Sequence, residues 1–263
     1  MFRKKLLLIV ATSFIIMAVW SFAFARADMP FVVMVNPDKI LMGATFNGTH
    51  LSVSGKVPAD SEVLVRVVGK RTNLKLKKKE HALGLLWMNL GTVEFQNVPS
   101  VYLLVPSKAV EQLSINRKDR WQKLGLGFTG LEKQIGVIPL SEDKHKLFME
   151  FYRLKQSEGL YGIQRNSVRY ENDSNHMKTF YAVISIPSDI PQGIYSVQTF
   201  VMKNGIITAR TEEKIEAKEV GFPATISFLA FNYPTLYGVL AVIIALVAGL
   251  ITGFVFKESG GGH

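Results

Sequence analysis

Apolar and polar residues alternate with a period of two in short segments between Phe31 and Val105. "THLSVSG" (Thr49–Gly55) and "SEVLVRVVG" (Ser61–Gly69) are the clearest cases, and the Pro-containing turn "KVPAD" separates them. "VNPD" and "FNG" punctuate the strands before them. "NLKLKKKE", "GLLWMNLG", "VEFQNV" and "VYLLVP" continue the pattern in short segments. After Ser167 it returns in "VRY", "TFYAVISIP", "GIYSVQTFVM" and "GIITARTEEKIEAKEV", which read as four more strands. "KNG" between the last two puts Asn204 and Gly205 at a hairpin tip. Regular short strands with turn signals predict a β-sandwich. "IPSDIPQGIYSVQTFVMKNGII" resembles the closing strands of immunoglobulin-like domains, where a Pro–Gly corner leads into an inward-facing Tyr.

Between the two β regions the period changes to that of a helix. In "SEDKHKLFMEFYRLKQSEGLYG", Leu147, Phe151 and Leu154 recur at helical spacing beside Phe148 and Tyr152, and Gly159 supplies a stop. Ser141, Glu142 and Asp143 suit the amino terminus of that helix. "SKAVEQLSI" begins with Ser107 as a helix cap. "GLGFTGLEKQIGVIPL" is a Gly-rich connection between these stretches. The fold class expected is mainly β: an immunoglobulin-like β-sandwich over residues 28–220, with a helical insertion at about 107–162. Two separate β domains are the alternative.

Both ends of the chain are apolar. "LYGVLAVIIALVAGLITGFVF" (Leu236–Phe256) has no charge and the length of a bilayer-spanning helix, which predicts a transmembrane segment over 236–256. A buried soluble helix is the alternative. The cytoplasmic tail would be 257–263, and the final "GGGH" has no structural signature. Ahead of the helix, 221–235 reads as an amphipathic interfacial segment, because Phe222, Phe228, Phe231, Tyr233 and Tyr237 cluster there. At the other end, Arg3, Lys4 and Lys5 precede an apolar run that closes in "ARA" (Ala25–Ala27). That is the layout of a signal peptide over 1–27, with an uncleaved anchor as the alternative. A cleaved signal and a closing helix together predict a single-pass protein. Its domain would lie in the periplasm, its helix in the bacterial inner membrane and its carboxy terminus in the cytoplasm.

Composition narrows the chemistry. Cysteine is absent, which removes disulfides, thiolate nucleophiles and covalent haem attachment. The formal net charge of +10 falls by four to +6 when Arg3, Lys4, Lys5 and Arg26 leave with the signal. A modest positive charge suits a domain near anionic lipid, and the exported location argues against nucleic acid. His50, His81, His145 and His176 do not fall at metal-ligand spacing, and there is no G-x-S-x-G motif. Asp60 with Glu62, and Glu142 with Asp143, read as turn and helix-start residues. "NGT" at Asn47 matches a glycosylation sequon, a weak three-residue signal. The expectation is a protein that is not an enzyme and uses no cofactor or metal.

Three features remain as candidate contacts. The basic run Lys70, Arg71, Lys75, Lys77, Lys78 and Lys79 could attract an anion or lipid head groups, or guard an edge strand. Trp87 in "GLLWMN" could mark a binding surface or a packed core. In the closing helix, Ala241, Ala245, Gly249 and Gly253 fall four apart, as small residues do where membrane helices associate.

"GLLWMNLGTVEFQNVPSVYLLVPS" (Gly84–Ser107), "FYRLKQSEGLYG" (Phe151–Gly162), "FYAVISIPSDIPQGIYSVQTFVMKNGII" (Phe180–Ile207) and the helix after "PTLYG" are similar to a family of bacterial transmembrane proteins first described from alphaproteobacteria. The resemblance implies the topology derived above and a genomic association with permeases of the sulfite and organosulfonate exporter family. It implies no catalytic residues. The function expected is that of an accessory or interaction subunit, with membrane lipid, a permease and a second copy of the chain as candidate partners. A module that binds a small anion through the basic run is the competing reading.

Overall fold

The computed structural model describes residues 31–82, 86–108, 110, 112, 126–139, 143–173 and 176–257, with the backbone alone for 78–82, 86–90, 255 and 257. The expected signal peptide and the tail beyond Lys257 lie outside the described residues.

Strands β1 (Val33–Asn36), β3 (Thr49–Pro58), β11 (Met177–Ile186) and β10 (Val168–Asn172) form a four-stranded sheet in the order β1-β3-β11-β10. A six-stranded sheet runs β2-β13-β12-β4-β7-β9. Its members are β2 (Lys39–Met42), β13 (Ile206–Glu219), β12 (Gly193–Lys203), β4 (Glu62–Val68), β7 (Tyr102–Pro106) and β9 (Tyr161–Ile163). The two sheets have the immunoglobulin arrangement, with A, B, E and D on one side and C, F and G on the other. β2 lies parallel to β13, while β3 and β11 pair antiparallel from Thr49↔Ile186 to Pro58↔Met177. Both sheets therefore combine strands from the two halves of the chain, so the β regions build one domain and not two.

The period-two pattern sets which side chains are inside. Leu51, Val53 and Val57 of β3 and Phe180, Ala182, Ile184 and Ile186 of β11 are buried from one sheet. Val63, Val65 and Val67 of β4 and Tyr195, Val197 and Val201 of β12 are buried from the other. Tyr195 is 1% exposed, and its hydroxyl donates to the carbonyl of Pro191, a tyrosine corner at the start of β12. The turn between β12 and β13 places Asn204 (φ 52°) and Gly205 (φ 71°) in the left-handed region, as a primed hairpin turn requires.

The third sheet departs from the sequence expectation. β5 (Arg71–Ala82), β6 (Leu86–Pro99) and β8 (Gly136–Ile138) are ordered β5-β6-β8, outside the sandwich. "GLLWMNLG" and "VEFQNV" belong to the single strand β6, which bulges where Lys78↔Gly91 gives way to Lys79↔Asn89. The insertion is also not purely helical. Its Gly-rich part forms α1 (Gly127–Gln134) and then β8, which pairs with β6 from Glu94↔Ile138 to Gln96↔Gly136. The predicted helix is α2 (Lys144–Ser157), ended by Gly159 at φ +71°. Phe148 and Phe151 are its buried residues, whereas Leu154 is 43% exposed, so the inward face is rotated from the predicted stripe. Phe151 stacks on Phe95 at 4.5 Å and meets Tyr161 edge-on at 5.8 Å, which locks the insertion to the sandwich. The cap at Ser107 is present: its Oγ accepts from the Val110 N–H at 3.3 Å.

After β13 come α3 (Phe222–Asn232) and α4 (Pro234–Lys257). α3 is apolar over most of its surface, where an amphipathic segment was expected.

Candidate functional site

The basic run lies on β5, an edge strand of the third sheet, with Lys70 just ahead of it. Arg71 is committed to structure: it donates to the Asn97 carbonyl at 2.9 Å and to Gln134 Oε1 at 2.7 Å. Lys75 faces Glu94 at 3.7 Å, and its side chain is 71% exposed. Lys70 and Lys77 are exposed. Lys78 and Lys79 pair with Gly91 and Asn89 in the ladder, and their side chains lie outside the described ones. So does that of Trp87, which sits opposite His81. The run forms a line along a ribbon rather than a closed pocket.

Two polar clusters escaped the sequence reading. At one end of the sandwich, Lys178 Nζ lies 3.4 Å from Glu62 Oε1 and 4.0 Å from the centre of the Tyr170 ring. Glu62 Oε2 accepts from Ser107 Oγ at 2.6 Å and from the Tyr170 hydroxyl at 2.9 Å. The Lys178 side chain is only 9% exposed. A signal for it existed, since Lys178 shares the period-two phase of Phe180, Ala182, Ile184 and Ile186. Glu62 is thus part of a buried ionic group and not a turn residue. Its neighbour Asp60 does occupy a turn, where the hydrogen bond from Lys203 lowers its pKa.

On the outer face of the six-stranded sheet, Arg66 Nε donates to Gln198 Oε1 at 2.8 Å, and its guanidinium stands 5.2 Å from the centre of the Phe200 ring. Burial lowers its pKa. Glu212 receives Ser196 Oγ at 2.7 Å, and that hydrogen bond holds its carboxyl below the ordinary range. Burial raises the Tyr102 phenol to about 12 on the same sheet. These groups pair among themselves across neighbouring strands.

The described histidine side chains, His50, His145 and His176, do not converge. His145 Nδ1 is 2.8 Å from Glu132 Oε1, while His50 lines a shallow groove with Arg169 and Tyr181 on the four-stranded sheet. His176 is exposed at φ 58°. No group of three metal-ligating side chains occurs among the described residues. A larger groove of about 870 Å³ opens beside β1, lined by Phe31, Val32, Met34, Met177 and Tyr181, with Lys56 and Lys203 among its polar residues. Val32 and Met34 are 80% and 70% exposed, so apolar surface is concentrated beside the groove.

The closing helix meets the length and composition of a membrane span over Pro234–Phe254, with mean hydropathy 2.4 and no burial among the described residues. Ala241, Ala245, Gly249 and Gly253 are all exposed on it. A Cβ built at Gly249 or Gly253 would meet no atom within 4 Å.

Residues 30–258 match the family described as "Putative transmembrane protein (Alph_Pro_TM)". No curated protein matches the chain. With that match spanning the sandwich, its insertion and the apolar closing helix, the chain belongs to this transmembrane family and is membrane-anchored.

Proposed function

We propose that this chain is a non-enzymatic accessory subunit of a bacterial inner-membrane complex, with its sandwich in the periplasm. Its partner is proposed to be a permease of the sulfite and organosulfonate exporter family. The observation that carries the reading is the closing helix. A helix that only anchors needs apolarity, and Leu or Val would serve throughout. Here Ala241, Ala245, Gly249 and Gly253 form a stripe of small residues, exposed among the described residues. In lipid, close approach over small residues is a main route to helix association. The apolar groove beside β1 supplies a second face for protein contact. The partner class comes from the family resemblance, and the fold by itself assigns no activity.

The competing reading, a module that holds a small anion on the basic run, has less support. Arg71 is tied to Asn97 and Gln134, Lys75 faces Glu94, and the lysines are strung along a strand instead of converging. Gentle extraction of native membranes and affinity capture of the full chain tests the proposal. A permease recovered in fixed proportion supports it. A lone, monodisperse chain that binds sulfite or a sulfonate sinks it.

A further inference from the structure

The hairpin formed by β5 and β6 lies outside the sandwich but grows directly out of one of its strand pairs. β4 pairs with β7 to Val68↔Tyr102, and the ladder then runs on through Gly69 N–H to the Val101 carbonyl and Ser100 N–H to the Lys70 carbonyl. Arg71↔Pro99 opens the β5–β6 pairing, which extends to Ala82↔Leu86. Gly69 marks the junction: a Cβ there would fall 2.0 Å from Ser100 Oγ and 2.9 Å from the Tyr195 ring. β4 through β7 is thus one long two-stranded ribbon whose far half leaves the sandwich as an arm.

The direction of the arm follows from register. Val68 pairs with Ser196, and Ser196 with Lys214, so the arm departs from the sheet at the level of Lys214. β13 runs the same way from there to Glu219, where it passes into α3 and the membrane helix. Arm and anchor therefore leave the same end of the sandwich. The hairpin tip at Asn204–Gly205 is at the opposite end. One strand, β12, separates the exits in the sheet order, so they stand two strand spacings or about 10 Å apart across the sheet. From Val68 to Ala82 the arm has a contour of about 46 Å, against about 17 Å from Lys214 to Glu219. It outreaches the strand that leads to the anchor by about 30 Å before the twist added by its two bulges.

The chemistry changes along the arm. Its stem bears Lys70, Arg71, Lys75, Lys77, Lys78 and Lys79, and between Lys70 and Pro99 the acids are Glu80 and Glu94. Its far end bears Leu86, Trp87 and Met88 at ladder positions opposite Ala82, His81 and Glu80. Cationic residues followed by Trp and aliphatic residues match an anionic head-group layer backed by its acyl boundary.

We propose that the arm is a second membrane contact: its lysines lie against anionic phospholipid in the leaflet through which α4 enters, and its far end sits at the interface. The domain is then held at two points rather than swinging on α3. The inference rests on the anchoring of α4 and is independent of the permease partner. Guarding an edge strand is the alternative role for the lysines, since β5 is an edge.

The test uses the purified full chain in lipid nanodiscs, with Trp20→Phe and Trp121→Phe leaving Trp87 as the reporter. Discs contain acyl-brominated phosphatidylcholine with or without phosphatidylglycerol. The expected result is quenching of Trp87 in the anionic discs. Salt should reverse it, and so should the Lys75→Gln, Lys77→Gln, Lys78→Gln, Lys79→Gln variant. Co-elution of every sample with its disc checks the anchor separately, and the salt titration needs no stem variant. Unquenched Trp87 in a co-eluting chain overturns the proposal. So does quenching that ignores both lipid charge and the lysines.

Discussion

Removing the charge of Glu62 should destabilise the domain far more than removing its partner. Lys178 is nearly enclosed, with Glu62 Oε1 at 3.4 Å and the Tyr170 ring below it. Glu62→Gln leaves that ammonium buried opposite a neutral amide. Breaking a buried pair in this way costs about 3–5 kcal/mol, and the 26% exposure of Glu62 puts this case near 3. Lys178→Met is milder. Glu62 keeps Ser107 and Tyr170 as donors and reaches water, so the loss should be about 1 kcal/mol. The double variant should recover about 2 kcal/mol of the summed loss, because it carries no orphaned charge. Urea unfolding of the full chain in detergent, followed by the β-sheet circular dichroism signal, measures all four proteins. At a slope of about 2 kcal/mol per molar, Glu62→Gln should lower the midpoint by about 1.5 M. Equal losses from the two single variants, with a strictly additive double, would refute the reasoning.

The buried phenols predict a basic limit to stability. Tyr102 and Tyr195 have folded pKa values raised to about 12 from 10.0, chiefly by desolvation. Folding thus favours their neutral form. Their contribution is fully present below pH 10 and is lost as pH rises toward 12, by up to about 2–3 kcal/mol for each phenol. Thermal melts across that window, read beside phenolate absorbance, should show Tm falling as the phenolate forms; a flat Tm would contradict the assignment. Phe151→Ala removes the ring joining Phe95 to Tyr161 and should cost about 3–5 kcal/mol. Hydrogen exchange should show lost protection in β6 and β8, with β12 retained; uniform loss through the sandwich would mean the insertion is not a separable layer.

How much of this could be read from the chain depends on how local each feature is. The Tyr195 corner, the Asn204–Gly205 turn and the Gly159 stop lie within a few residues of the signals that encode them, and the sequence reading places all three. The inward face of each sandwich strand follows from period two. The arm does not, because its identity lies in pairing across the chain, Arg71 with Pro99 and Lys79 with Asn89. Gly91 looked like a break between two strands, yet it marks a bulge inside one. α1 and β8 are too short for periodicity to outweigh their glycines. Lys178 was legible in principle, since its phase points inward, but a lone Lys in a strand is ordinarily solvent-facing. For the candidate site, the small-residue stripe and the basic run were visible as residues. Their positions relative to the membrane end needed the ladder.

The central claim is that the closing helix joins a partner rather than only holding the domain. Gly249→Leu with Gly253→Leu keeps the helix apolar but adds bulk along the stripe. Wild type and this variant should be captured from native membranes after crosslinking and their bound proteins compared by mass spectrometry. Equal membrane insertion with loss of the co-captured permease, or of the crosslinked second copy, is the predicted result. Equal recovery of both from wild type and variant would contradict the account and leave the helix a plain anchor.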